Sequence, residues 1–356
     1  MTKFGISALP ISWAYGAIIN LRHLLYNSGV FKSQSTAQVF TICVGNLNLG
    51  GSGKTPTAEY LISQLKFQYK VGVVSRGYGR KSTGFYIVDP QGSSEQFGDE
   101  PLQMAQKFSD VPFAVSENRY DGINKLLEFR NDLQVIILDD AFQHRKFSAD
   151  YNLLLTQFDL PFFRDNLIPA GGLRDIKAAA TRAHSLLITK SPQNISHDTK
   201  KIFQRESGFT LERNLFFTHL KYQQLLDPIN NENLSIVGVD QALVVCGLAN
   251  PKPLFQYLES KVARLKKVKF RDHYEYQAKD IHAMRTIFDN FARTNDRIVI
   301  TTEKDYVKLQ KLKHLWPDSW TVLVLPIQME FNNGMDTRFL DGLTDRINTK
   351  LESHDR

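Results

Sequence analysis

Residues 39–60 read VFTICVGNLNLGGSGKTPTAEY, and this stretch decides the fold. Its first half is an unbroken apolar run with β-branched residues, the pattern of a strand buried on both faces. From Pro56 the chain continues as PTAEYLISQLKFQY, an amphipathic helix. A glycine-rich turn between a strand and a helix is the setting of a phosphate-binding loop. Gly50, Gly51 and Gly53 let successive backbone N–H groups turn inward toward phosphate oxygens, and the helix adds its positive end. Asn48, Leu49, Gly50, Gly51, Ser52, Gly53, Lys54 and Thr55 are therefore the expected nucleotide-binding residues. Lys54 reaches the β- and γ-phosphates, and the Thr55 hydroxyl is a ligand for Mg²⁺. One position departs from the pattern G-x-x-x-x-G-K-[ST]: its first glycine is Asn48.

Outward from the loop, strand-like and helix-like runs alternate. VGVVSRGYGR, VPFAVS, LQVIILDD, YNLLLTQF and HSLLITKS read as strands, with PLQMAQKF and RYDGINKLLEF as helices. Such alternation predicts an α/β fold, a P-loop NTPase-like, doubly wound, mostly parallel sheet. Near residue 212 the rhythm changes to LFFTHLKYQQLLD and an NNEN stretch, a crossing ribbon and a loop. A second series follows, from QALVVCGLANP through ARLKKVKFRDH, AKDIHAMRTIFDNFART and DRIVITTEKD to WTVLVLP. The expected organisation is an N-terminal amphipathic helical segment (1–34), a P-loop core (35–212) and a smaller α/β lobe (213–356). A last helix, Thr337 to Leu351, is expected to pack back on the core.

The chain has 356 residues, 42% apolar and 23% charged, which is the composition of a folded body. Its formal charge of +7 suits an anionic partner. Cys43 and Cys246 lie far apart in apolar runs and read as reduced core thiols. ISALPISWAYGAIIN (6–20) is too short to span a bilayer, which takes about 20 apolar residues. Residues 4–32 carry helical periodicity, which fits both a helix lying in a membrane interface and a helix packed on its own core.

A P-loop takes an acidic partner from a neighbouring strand end, and VIILDD supplies Asp139 and Asp140. Both fit Mg²⁺ binding; capping of the next turn is the plainer alternative. A guanine-reading motif is missing: ITKSPQN places Pro192 where an Asp belongs, and TEKD has the wrong spacing. The second loop lysine of partitioning-type ATPases is Leu49 here. A metabolic kinase therefore ranks ahead of a P-loop ATPase acting as a switch or assembly factor. Nucleic acid is not an expected partner, because basic and aromatic residues cluster nowhere beyond LKKVKFR (265–271). That run fits an anionic lipid face or an edge strand protected by charge. Arg76, Arg80, Arg119, Arg164 and Arg174 sit near loop ends, as phosphate-binding or merely solvated side chains. Read alone, Asp99 caps the following helix or acts as a base, and His273 is a satisfied loop histidine.

GNLNLGGSGKTP, SRGYGR, GDEP, LDDAFQH, NLIPAGGLRD, CGLANP, FRDHYEY and TTEKD occur in this order. The succession, over roughly residues 1–330, resembles the tetraacyldisaccharide 4′-kinase family of lipid A biosynthesis. The resemblance implies transfer of the ATP γ-phosphoryl group to the 4′-hydroxyl of a tetraacylated glucosamine disaccharide 1-phosphate. It implies a monotopic protein on the cytoplasmic face of the inner membrane, and so favours the interfacial reading of residues 4–32; a monomer is the expected state. Matched by position, Asp99 is the implied catalytic base, His273 its partner, and Lys54 the phosphate lysine. Glu100, Arg119, Gln143, His144, Arg174 and Asp175 match supporting positions. Ala141 stands where Gly is usual and Asp175 where Glu is common, changes that touch geometry rather than the reaction.

Overall fold

The computed structural model describes residues 5–291 and 297–354. Phe4 of the expected first helix, Lys3 just before it, residues 292–294 of the helix expected from Ala278, and Asp296 lie outside them. The first elements are α1 (Leu9–Asn27), β1 (Phe40–Asn46), α2 (Lys54–Leu65), β2 (Val71–Ser75), β3 (Tyr86–Ile87), α3 (Ser94–Phe97) and α4 (Asp99–Lys107). Next come β4 (Phe113–Val115), α5 (Arg119–Phe129), β5 (Val135–Asp139), β6 (Tyr151–Gln157), β7 (Ser185–Thr189), α6 (His197–Ser207) and β8 (Leu215–Tyr222). The chain goes on through β9 (Leu225–Asp227), β10 (Glu232–Leu234), β11 (Gln241–Cys246), α7 (Lys252–Glu259), β12 (Arg264–Lys269) and α8 (Ala278–Asp289). It finishes with β13 (Arg297–Thr302), α9 (Glu303–Leu309), β14 (Val322–Leu325), β15 (Ile327–Phe331) and α10 (Asp336–His354).

Nine strands form the first sheet, in the order β15-β8-β7-β6-β1-β5-β2-β4-β3. From β8 to β4 all neighbours are parallel; β15 and β3 close the edges antiparallel. The parallel strands are unbroken apolar runs because both faces are covered. Ile42, Val44, Leu61, Leu65 and Leu102 fill one face, and Cys43, Ile123, Leu126 and Phe203 the other. Strand β1 lies between β5 and β6, so the chain reverses its direction of sheet growth there. A crevice at the carboxyl ends of such strands is where α/β sheets bind ligands. Val44 pairs with Asp139, which sets the glycine-rich turn and the acidic pair side by side at that end.

Close packing at this end constrains β1. A Cβ on Gly45 would stand 2.5 Å from Cβ and 2.9 Å from N of Phe142. Gly45→Ala is expected to destabilise the fold by about 1–3 kcal/mol through this overlap, read as a lower denaturation midpoint; an unchanged midpoint would contradict it.

The second sheet runs β10-β9-β14-β13-β11-β12. Strand β12, the core of LKKVKFR, pairs only with β11 among the described residues and is largely exposed, a charged edge strand. Sheet membership changes at Tyr222 rather than near residue 212. Strand β8 stays in the first sheet because Leu215, Phe216 and Phe217 are buried there. The chain returns as β15, antiparallel to β8 with Ile327 opposite Tyr222. Helix α10 then packs on the first sheet through Phe339, Leu343 and Ile347.

Helix α1 is turned inside out. Its buried positions are Ser12, Gly16 and His23, while Ile11, Trp13, Ile18, Leu21 and Leu24 are exposed. An ordinary surface helix does the reverse. The inward face is held by polar contacts: Ser12 Oγ to the Leu167 carbonyl at 3.0 Å, Tyr15 Oη to the Arg174 carbonyl at 2.8 Å, and Arg22 to the Gln143 carbonyl at 3.1 Å. Among the described residues no helix is long and apolar enough to cross a membrane.

Candidate active site

The phosphate loop takes its shape from two left-handed glycines. Gly50 has φ 99° and Gly53, at the N-cap of α2, has φ 84°, conformations that a side chain would strain. The NLIPAGGLRD segment braces the loop from one side: Leu49 N–H donates to the Gly172 carbonyl at 2.6 Å. Asn48 Nδ2 donates to Asp165 at 2.8 Å, so the residue in place of the pattern's first glycine anchors the base of the loop. From the other side, Thr189 Oγ1 donates to the Ser52 carbonyl at 2.8 Å and Lys190 Nζ to the Gly51 carbonyl at 2.5 Å.

Lys54, first residue of α2, points back to the end of β1. Its Nζ lies 3.3 Å from Asn46 Oδ1 and 3.7 Å from Asp140 Oδ1. Arg174 Nη2 reaches the same two groups, at 2.7 Å and 3.3 Å. Lys54, Arg174, Asp140 and Asn46 are thus one cluster. Asn46 was not singled out from the sequence; it also donates to the Asn48 carbonyl at 2.6 Å and so ties strand end to loop. Gln143 completes this edge by donating to the Asn46 carbonyl at 3.0 Å.

The two aspartates differ. Asp139 is buried at the end of β5, its Oδ2 accepting from Ser75 Oγ at 3.2 Å and its Oδ1 having no partner among the described residues. Burial, then the charges of Glu100 and Asp140, push its carboxyl up to about 7. Burial also opposes ionisation of Asp140, but Lys54 and Arg174 outweigh it and hold that carboxyl below its ordinary value. At Asp139, Lys54 and Arg119 offset the rise only in part, and the orphaned oxygen fits a divalent ion. Among the described residues no group of three or more His, Cys, Asp or Glu side chains forms a metal cage. An ion there would need further ligands, and Thr55, phosphate oxygens and water are of the type Mg²⁺ prefers.

Arg119 is fully buried. It donates to the Ser116 carbonyl at 2.7 Å and to the carbonyls of Asp139 and Asp140 at 3.4 and 3.3 Å, so it shapes the acidic turn. Burial first, then Arg119 and other cations, drive His144 down to about 4, which keeps it neutral. Its buried Nε2 has no partner. Asp175 stands apart from the phosphate cluster: it pairs with His23 of α1 at 2.6 Å and approaches Arg182 at 3.5 Å. Its role in the fold is to seat the N-terminal helix.

Asp99 opens α4, and Gly98 rather than Asp99 is the N-cap. The carboxylate is therefore free for tertiary contacts. Its Oδ2 meets His273 Nδ1 at 3.2 Å and Lys308 Nζ at 2.7 Å. Burial pushes Asp99 upward, but hydrogen bonds from His273 and Lys308 prevail and hold it below its usual range. Glu100, the next residue, is near enough to Asp139 to perturb it, which puts the α4 terminus beside the acidic pair. Asp140 (φ 48°) and His273 (φ 55°) both adopt left-handed backbone, uncommon away from constrained sites. The rings of Tyr78 and His273 meet at a tilt, with centroids 5.8 Å apart. Lys308 was not singled out from the sequence, where it follows the TTEKD run.

Residues 5–344 match the family model described as tetraacyldisaccharide-1-P 4′-kinase. A tetraacyldisaccharide 4′-kinase of Flavobacterium johnsoniae is 37% identical over 325 residues, 91% of this chain and 92% of that protein. One of Cytophaga hutchinsonii is 37% identical over 350 residues, 95% of this chain and 97% of that protein. A crystal structure of the "apo" form of LpxK from Aquifex aeolicus in complex with ATP superposes with a TM-score of 0.74 at 32% identity, over 96% of this chain and 98% of that one.

Proposed function

The chain belongs to the tetraacyldisaccharide-1-P 4′-kinase family, and from that premise we propose how its own residues carry the reaction. It is an ATP-dependent tetraacyldisaccharide 4′-kinase of lipid A synthesis. The acceptor is the 4′-hydroxyl of a tetraacylated glucosamine disaccharide 1-phosphate. The loop from Asn48 to Thr55 holds the triphosphate, with Lys54 and the loop amides facing the charge that builds on the transferring group. Asp99 accepts the 4′-hydroxyl proton. As it does, the 4′-oxygen bonds to the γ-phosphorus, the bond from that phosphorus to the β,γ-bridging oxygen breaks, and its electron pair leaves with ADP. His273 orients the base. Mg²⁺ held by Thr55, Asp139 and Asp140 would add positive charge at the phosphate oxygens.

The observation that carries this reading is the 3.2 Å contact between Asp99 and His273, which come from different lobes and meet beside the acidic pair. Contact across lobes lets their approach assemble the base and exclude water. The outward apolar face of α1 supports a second element of the proposal: the helix lies in the membrane interface, on the cytoplasmic side where ATP is available, and presents the site to its lipid acceptor. The test is incubation with γ-labelled ATP and a tetraacyldisaccharide 1-phosphate in detergent micelles. Label is expected on the lipid; label released only as inorganic phosphate would overturn the kinase reading.

A further inference from the structure

Helix α9 brings two lysines to the dyad from one face, four residues apart. Lys308 is almost fully buried and lies 2.7 Å from Asp99 Oδ2; it also donates to the Tyr274 carbonyl at 3.1 Å. Lys304 Nζ lies 3.2 Å from His273 Nε2 and 2.9 Å from Asp272. An ammonium has donors and no acceptor, so Nε2 of His273 must be the acceptor in its contact with Lys304. The ring proton then resides on Nδ1 and is donated to Asp99. A proton on Nε2 would face the ammonium directly. The two donors to Asp99 converge on a single oxygen, Oδ2, and Oδ1 is given no protein partner among the described residues.

We propose that Lys304 and Lys308 are positioning residues of the kinase: Lys304 holds His273 as the neutral Nδ1–H tautomer, and Lys308 with His273 clamps Asp99 through Oδ2, leaving Oδ1 to take the proton of the acceptor hydroxyl. The inference rests on Asp99 being the base. It adds that both arms of the clamp come from the second lobe, so docking of that lobe fixes which oxygen reacts. Besides the clamp, the charged groups around Asp99 are Glu100 on its own helix, Glu275 at 3.7 Å from Lys308, and Asp272 on Lys304. With Lys308 gone, Asp99 loses its ammonium partner, keeps only the His273 N–H, and protonates at higher pH.

The experiment compares the pH dependence of kcat/KM for wild type, Lys308→Met, Lys308→Arg and Asp99→Asn. Lys308→Met is expected to lower kcat roughly ten- to a hundredfold and to displace the acid limb to higher pH. Lys308→Arg, which keeps the charge, is expected to restore the limb. Lys304 is more exposed and gives an independent arm. In ¹⁵N-histidine spectra, assigned by His273→Gln, wild type is expected to show His273 as the Nδ1–H tautomer, and Lys304→Met to lose that preference. The inference falls if Lys308→Met keeps both turnover and acid limb, or if Lys304→Met leaves the tautomer unchanged. If Asp99→Asn alone abolishes transfer in that case, the base assignment survives. If Asp99→Asn turns over normally, the base assignment fails as well.

Discussion

Asp99→Asn is expected to lower kcat by roughly 10²–10⁴-fold while leaving the affinity for ATP nearly unchanged. The amide keeps the shape of the carboxylate and an acceptor oxygen, but it cannot take a proton at neutral pH. Nucleotide affinity stays because the loop around Lys54 is braced by Thr189, Lys190 and the 165–175 segment, none of which touches Asp99. Some stability is lost as well. Lys308 is 3% exposed and, among the described residues, would keep only Glu275, at 3.7 Å, as an ionic partner. Assays therefore belong well below the unfolding temperature. The linkage has a definite sign. The carboxyl of Asp99 is held low in the folded chain, so its contribution to stability is present above the ordinary carboxylate range and fades as pH falls through the depressed value. Single-turnover transfer separates the chemical loss from the structural one; a variant that transfers within tenfold of wild type would remove Asp99 as the base.

Lys54→Met is expected to lower kcat/KM for ATP by roughly 10²–10³-fold, the range seen when one preorganised donor to developing charge is removed. Structure alone suggests little rearrangement, because Asn46 and Asp140 keep Arg174 at 2.7 and 3.3 Å. The guanidinium is no substitute for the ammonium, since Lys54 serves the loop as a compact point charge. Lys54→Arg should therefore recover little. Steady-state kinetics with ATP varied at saturating lipid decide the matter, and a loss under tenfold would contradict the role given to Lys54.

Legibility in the sequence followed the range of the interactions. The loop and the acidic pair were readable because spacing along a few residues dictates them: three glycines, Lys-Thr, and a strand ending in two aspartates. Their partnership came from the fold, in which β5 inserts between β1 and β2 and so sets the acidic pair beside the loop. The dyad was different. Asp99 and His273 are separated by 174 residues, and no periodicity links them; only family resemblance paired them before the structure did. Lys308 and Asn46 were missed for the same reason, as each gains its role from side chains brought together by tertiary packing. Lys304 and Lys308 did carry a signal, two cations on one face of the short EKDYVKL helix, but solvated faces look the same. Helix α1 shows the limit of patterning. Its apolar stripe was visible, yet which face turns inward depends on hydrogen bonds to the 167–175 segment, 152 to 159 residues away.

Strand β15 returns beside β8 with Ile327 opposite Tyr222, so the second sheet leaves and re-enters the first through one antiparallel ribbon. In genetic terms, residues 223–326 form a cassette whose two ends already lie in register. The stretch is removable on paper by a hairpin turn, and exchangeable for another without reordering the nine strands. That cassette carries His273, Lys304 and Lys308 but none of the phosphate loop. The phosphate loop and Asp99 on one hand, and the side chains proposed to position that base on the other, are therefore encoded in separable stretches of the gene, and a lineage can retune one while the other stays fixed.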